Sequence, residues 1–210
     1  MTPYRLVVFD SDGTLADSLP WFASTFNQFA ERHGFKPVSQ AEHAELRCLS
    51  GREMLQRLHI PIWKVPALVT DMRRLMAQHI HEFKLFEGVE ESLRQLTAAG
   101  VTLGIVSSNS EQNVRHILGP ANAALIQHFA CGASMFGKAP KLRALLKASG
   151  HTARDAIYLG DEHRDAEAAH KVGMAYGAVT WGQHDLETLR PLAAEVFMRP
   201  SEIGEKLKGA

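Results

Sequence analysis

The sequence predicts an α/β protein, a doubly wound parallel sheet that carries a helical insert. Three observations predict it. Short apolar runs recur with helical stretches between them, the rhythm of a parallel sheet with crossover helices. The first run, Leu6, Val7, Val8 and Phe9, is continuous rather than alternating, as in a strand buried on both faces. Between residues 15 and 86 the strand rhythm stops and only helical spacing remains.

In chain order, the opening strand is bounded by Arg5 before it and Gly13 after it. Trp21, Phe22, Phe26 and Phe29 then share a helix that stops at Gly34, and Leu55 and Leu58 belong to a short one. Val65, Leu68, Val69, Met72, Leu75, Met76 and Ile80 recur at helical spacing, with Pro66 in the first turn. The chain re-enters the sheet near Phe86 to Val89. A helix over 90–99 carries Leu93 and Leu96 and ends at Gly100. Further strands are expected at 102–106, 156–159 and 176–179, with a weaker one at 129–132. A helix over 141–149 has Pro140 near its start and Gly150 at its end, and one over 166–172 ends at Gly173. The expected division is a core of residues 1–15 and 86–210 and an insert of residues 16–85.

Composition narrows the function classes. At roughly 150 residues per domain, the 210 residues make one domain with a substantial insertion or two small ones. Apolar residues are 45% and charged residues 22%, which disfavours disorder, collagen and coiled coil. Lys+Arg and Asp+Glu are both 23, and the missing basic excess argues against a nucleic-acid partner. Cys48 and Cys131 match no zinc or redox spacing and read as reduced, buried thiols. The N-terminal apolar run is too short for a signal-peptide core, and no run suits a membrane helix, so the expected location is cytoplasmic.

Ligands of open parallel sheets sit beyond the carboxyl ends of the strands. The residues placed there are Asp10 to Thr14, then Ser107, Ser108 and Asn109, then Gly160, Asp161 and Asp165; Lys138 opens the helix between the last two segments. Asp10 and Asp12, two residues apart in an extended segment, point the same way and need a cation between them. A polar turn is the plain alternative, and a calcium loop fails because Leu15 and Trp21 stand where its Gly and Glu belong. Asp161 and Asp165, four apart, stack on one face, although acids near a helix start also complement its dipole. Carboxylates converging at strand ends suit a hard divalent ion, most simply Mg²⁺. Gly132 to Ala139 nearly matches a phosphate loop, but Ala139 lacks the hydroxyl and Pro140 restricts Ala139 away from the helical region. His79 and His81 point apart on a helix and make no chelate.

Taken in order, Asp10-Ser11-Asp12-Gly13-Thr14, the strand ending in Ser107, Lys138, and Gly160-Asp161 with Asp165 resemble the haloacid dehalogenase-like hydrolase superfamily. The insert lies where that family's C1 cap domain lies, and the stretches 86–100 and 158–182 look like its phosphoglycolate phosphatase-like branch. The resemblance implies a Rossmann-like core and an Mg²⁺-dependent phosphatase acting on a small phosphorylated metabolite. Asp10 would be the nucleophile that forms an aspartyl-phosphate, and Asp12 the general acid and base. The metal would be held by Asp10, the backbone carbonyl of Asp12, and Asp161, with Asp165 in support. Ser107, Ser108 and Lys138 would hold the phosphoryl oxygens, helped by Thr14 and Asn109. Position 12 matters: dehalogenases lack this carboxylate and ion pumps carry threonine there. One departure is Ala139 between Lys138 and Pro140, which leaves Lys141 as a fallback lysine.

Specificity would lie in the cap, with Arg47, Ser50, Arg52, Trp63 and Lys64 as candidates. A phosphomutase or a phosphonate hydrolase shares such a core; the latter needs a cap lysine, and Lys36, Lys64 and Lys84 are present without a defining pattern. A non-catalytic relative is expected to have lost one of Asp10, Asp12, Ser107, Lys138 or Asp161, and none is lost. Partners are expected to be limited to the metabolite, with no nucleic acid and no membrane, in a monomer or small homo-oligomer.

Overall fold

The computed structural model describes residues 4–39, 42, 45–46, 49, 51–132 and 137–208. Strand β1 (Leu6–Phe9) is followed by helices α1 (Leu19–His33), α2 (Gly51–Arg57), α3 (Val65–Gln78) and α4 (Val89–Ala98). Then come β2 (Thr102–Ile105), α5 (Glu111–Ala123), β3 (His128–Phe129), α6 (Lys138–Ser149), β4 (Ala156–Gly160) and α7 (His163–Val172). The chain closes with β5 (Ala175–Val179), α8 (Leu186–Leu189), β6 (Glu195–Phe197) and α9 (Ser201–Leu207).

The sheet is parallel with order β3-β2-β1-β4-β5-β6. The chain builds outward from β1 to β3, then crosses back and builds the other half from β4. Phe9 stands opposite Ile105 on one side and Leu159 on the other. At such a reversal the connections diverge and leave a crevice beyond the strand ends. Asp10 and Asp161, the residues after β1 and β4, are therefore set side by side by topology.

The pleat divides β1 between two cores. Val7 and Phe9 pack with Leu103, Ile105, Ile157 and Leu159 beneath α4 and α9. Leu6 and Val8 pack with Tyr158, Tyr176, Leu142 and Leu145 on the opposite face. Both faces are covered, which is why the strand is apolar throughout. Each such Leu or Phe contributes roughly 1.5–3 kcal/mol by leaving water.

The helices between β1 and Leu85 pack differently. Val38, Leu46 and Leu58 form a small cluster of their own. Trp21, Met76 and Phe83 pack against Ala16 and against Ile117 of α5. Ala16 and Leu85 form an antiparallel bridge where the chain leaves and re-enters the core.

Several expectations need correction. The strand expected at 129–132 is the two-residue pair His128–Phe129. Helix α6 begins at Lys138, so Ala139 is helical. Pro140 sits in the first turn, where its missing N–H has no intrahelical partner to lose. Helix α5 escaped the sequence reading; Gly119, at φ 71°, and Pro120 kink it and hide its periodicity. So did α8, β6 and α9. Cys131 is half-buried, and burial pushes its thiol up to about 12, so it stays protonated. Cys48 lies outside the described residues, as do residues 133–136 of the phosphate-loop-like stretch. Among the described residues, no helix is long and apolar enough to cross a membrane.

Candidate active site

The amide of Asp10 donates to Leu159 O (2.8 Å), carrying the ladder one residue beyond β1 and pinning Asp10 at the seam. The chain then turns: the amides of Leu15 and Ala16 both donate to Ser11 O at 2.9 Å. The period-two rule ends with the strand, so Asp10 and Asp12 do not share partners. Asp10 Oδ2 accepts from Lys138 Nζ at 2.6 Å, and Asp12 Oδ2 accepts from Asn109 Nδ2 at 3.2 Å.

Asp161 is held from both sides. Its Oδ1 accepts from Thr14 Oγ1 and its Oδ2 from the Gln183 amide, each at 2.8 Å. Two glycines make room. A Cβ on Gly13 would lie 2.1 Å from Asp161 Oδ2, and one on Gly182 would lie 2.2 Å from Asp161 Cβ. Gly13 also has φ 78°, a region L side chains rarely adopt.

Asp165 does two things. At the third position of α7 its carboxylate receives the Glu162 amide in a capping box, which satisfies a helix end. Its other oxygen accepts from Lys138 Nζ at 2.6 Å and from the Tyr158 hydroxyl at 3.2 Å. Asp161 and Asp165 are not stacked on a helix, because Asp161 precedes α7 and Glu162 caps it. They meet because a strand end and a first helical turn open into one crevice.

Ligand atoms of Asp10, Asp161 and Asp165 lie within 4.8 Å of one another, all buried. Burial raises Asp10 to about 7 despite the opposing pull of Lys138. Burial, then the charges of Glu162, Asp10 and Asp165, holds Asp161 well above the usual carboxylate range. Burial raises Asp12 as well. For Lys138 burial acts downward, but Asp10 and Asp165 outweigh it and the ammonium is retained. Beside the cluster Glu162 pairs with Arg164; burial works to raise Glu162, yet Arg164 and Lys138 bring it down. The donor set is all oxygen, Asp12 Oδ1 is buried, and one ammonium faces several carboxylates. These residues fit a hard divalent cation.

The structure therefore gathers Asp10, Asp161, Asp165, Lys138, Ser107 and Asn109 in one buried region with the half-buried Asp12 beside them, and Lys138 rather than Lys141 against Asp10. The two expected phosphate helpers also hold protein groups. Thr14 orients Asp161, and Asn109 donates to Asp12 while its amide N–H is fixed by Ser107 Oγ at 3.0 Å. Arg52 is exposed, and Trp63 is 76% exposed with Lys64 over its ring. Arg47 and Ser50 lie outside the described residues. From the insert it is Arg73 and Met76 that reach the strand ends, at Ser108 and Asn109. Sequence reasoning also missed Gly182 and Gln183 around Asp161, Trp181 donating to Thr14 O (3.0 Å), and Tyr158 on Asp165. The rim rule applied to the end of β5 flags the first two. Tyr158 had no such signal, since its ring reads as core.

A family model described as haloacid dehalogenase-like hydrolase matches residues 7–179. The phosphoglycolate phosphatase of Synechococcus elongatus is 35% identical over 186 residues, which is 88% of each chain. That of Xanthomonas campestris is 32% identical over 189 residues, covering 85% of this chain and 84% of its own. Among solved structures, a haloacid dehalogenase-like family hydrolase from Streptococcus pneumoniae superposes with TM-score 0.78 at 20% identity, over 97% of this chain and 98% of its own. CbbY from Rhodobacter sphaeroides, solved with phosphate, gives 0.68 at 21% identity over 96% of each chain.

Proposed function

This chain belongs to the haloacid dehalogenase-like hydrolase family and is a phosphatase, and from that premise we propose that it hydrolyses a small phosphate monoester of the phosphoglycolate type with Mg²⁺ as cofactor. The carrying observation is the buried gathering of Asp10, Asp161 and Asp165 at the seam of the sheet, with Lys138 between Asp10 and Asp165.

Asp10 is the nucleophile. Its oxygen attacks phosphorus, the ester P–O bond breaks, and an aspartyl-phosphate forms. Asp12, raised by burial, carries the proton that the departing alkoxide takes up. The same carboxylate then removes a proton from the water that hydrolyses the intermediate. Lys138 keeps its charge between Asp10 and Asp165 and offsets charge growing on the phosphoryl oxygens. Ser107 and the Ser108 amide close the phosphate site. Asp10, Asp161 and the Asp12 carbonyl would hold the Mg²⁺, with Asp165 in support through Lys138. When bound, the ion supplies positive charge that lets an anionic nucleophile approach an anionic phosphate. Residues 16–85 form the cap that excludes water over residues 1–15 and 86–210.

The phosphonate-hydrolase reading needs a desolvated amine. Lys36 and Lys84 are exposed and Lys64 lies over Trp63, so none of the three supports it. The test is phosphate release from a panel of phosphorylated metabolites with and without Mg²⁺. Asp10→Asn is expected to remove nearly all activity; substantial turnover by that variant refutes the nucleophile assignment. Transfer of phosphate to an isomer rather than to water refutes the hydrolase reading.

A further inference from the structure

We propose that Asn113 and Asn109 form a relay that couples the seating of the helical insert to the orientation of the Asp12 carboxyl. Asn113 is the positioning residue of that relay. The inference rests on the reading of Asp12 as the acid that protonates the leaving oxygen.

Each amide nitrogen of the pair has one contact on the insert and one on the core, and Asn109 Oδ1 also accepts from the Ser110 amide at 2.9 Å. Asn113 Nδ2 donates to Arg73 O in α3 at 3.0 Å and to Asn109 Oδ1 at 2.9 Å. Asn109 Nδ2 donates to Met76 Sδ in α3 at 3.6 Å and to Asp12 Oδ2 at 3.2 Å. An amide nitrogen has two hydrogens, so both nitrogens are fully used. Arg73 and Met76 are three apart and share a face of α3. Arg73 Nε adds a third tie to the same loop, donating to Ser108 O at 2.6 Å.

Burial makes the relay sensitive. Met76 and Asn109 are 2% exposed and Asn113 is 4% exposed. If α3 withdraws, two amide hydrogens lose their acceptors together. The Asn109 amide then keeps its Ser110 N–H contact (2.9 Å) but loses the α3 ties that help aim its Nδ2, and its hold on Asp12 weakens. Asn113 itself is held at the first turn of α5, where its amide N–H donates to Ser110 Oγ at 3.2 Å, so the relay has a fixed end. With the insert seated, the Ser18 hydroxyl also favours the Asp12 carboxylate, and Asn109 holds one of its oxygens and leaves the other, Oδ1, buried and unheld by the relay. That oxygen carries the proton to the leaving oxygen as the P–O bond breaks.

The experiment is leaving-group dependence. An aryl phosphate such as p-nitrophenyl phosphate expels a stable phenolate and needs little proton transfer, whereas an alkyl phosphate needs it fully. Wild type, Asn113→Ala, Met76→Leu and the double variant are compared on an aryl series and an alkyl phosphate with Mg²⁺. Asn113→Ala is expected to lose about tenfold more kcat/KM on the alkyl ester than on the aryl one. Met76→Leu, which conserves volume and removes only the sulfur acceptor, is expected to shift the ratio the same way by about threefold. The double variant is expected to be no worse than Asn113→Ala alone, because both break one linkage. Equal losses on both esters, or losses that multiply in the double variant, overturn the relay. If Asn113→Ala does not fold, Met76→Leu decides. Wild type that releases no phosphate from any ester overturns the phosphatase reading instead.

Discussion

The sheet and the helical insert handle burial and charge in opposite ways. No residue of β1 is more than 1% exposed. In the insert, α1 fully buries only Trp21, Phe29 and Ala30, and α3 only Val65 and Met76. The sheet buries Lys138 with three carboxylates at its centre. The insert keeps its ion pairs in water, as with Lys36 and Glu42, where the lysine side chain is 73% exposed. The difference teaches a division of labour. Fixed charges need a rigid, dry platform, and a lightly packed insert tolerates change at its exposed side chains.

The largest break of that comparison is Lys138→Met. It leaves Asp10 and Asp165 buried without their cation. Unfolding by denaturant is expected to show a loss of about 3–5 kcal/mol, and phosphate release to fall by roughly two to three orders of magnitude. Next come paired truncations on the two sides. Leu103→Ala, fully buried, is expected to cost about 2–5 kcal/mol. Leu68→Ala in α3, only half-buried, is expected to cost about 1 kcal/mol or less. Equal costs would erase the contrast between the regions.

A pH series sharpens it. Burial raises Asp10 to about 7, while the unfolded carboxyl sits near 4. Between those values the native state binds more protons than the unfolded state, so stability falls as pH rises. For the metal-free protein this contribution is complete below about pH 4 and lost as pH rises through about 7. Asp161 acts in the same direction. A divalent cation favours the ionised forms, so Mg²⁺ is expected to raise the melting temperature more near pH 8 than near pH 5. The smallest effect is expected on the insert surface: Trp63→Ala, at 76% exposure, should change stability by no more than about 0.5 kcal/mol.

Much of the core was legible in the sequence. Continuous apolar runs end in Asp10, Ser107 and Asp161 because a parallel strand is buried on both faces and then meets the crevice. Helix α5 was not legible, since Gly119 and Pro120 interrupt its pattern, and β6 is three residues long. At the site, the acids and Lys138 were read, but the protein partners of Thr14 and Asn109 were not. Thr14 and Asp161 are 147 residues apart in sequence, and Asn109 and Asp12 are 97 apart. No local pattern encodes which oxygen a hydroxyl or amide will find across such separations.

The sequence by itself determined the layered sheet and which charged side chains stand at the strand ends. Those follow from periodicity and from the chemistry of each residue, both local properties. Only the tertiary structure decided who pairs with whom. It set Lys138 between Asp10 and Asp165, closed Gly13 and Gly182 around Asp161, and brought Arg73 and Met76 rather than Trp63 to the rim. Pairing of buried polar groups is fixed by packing across the whole chain, where each unsatisfied group is costly and only the complete fold offers the partners.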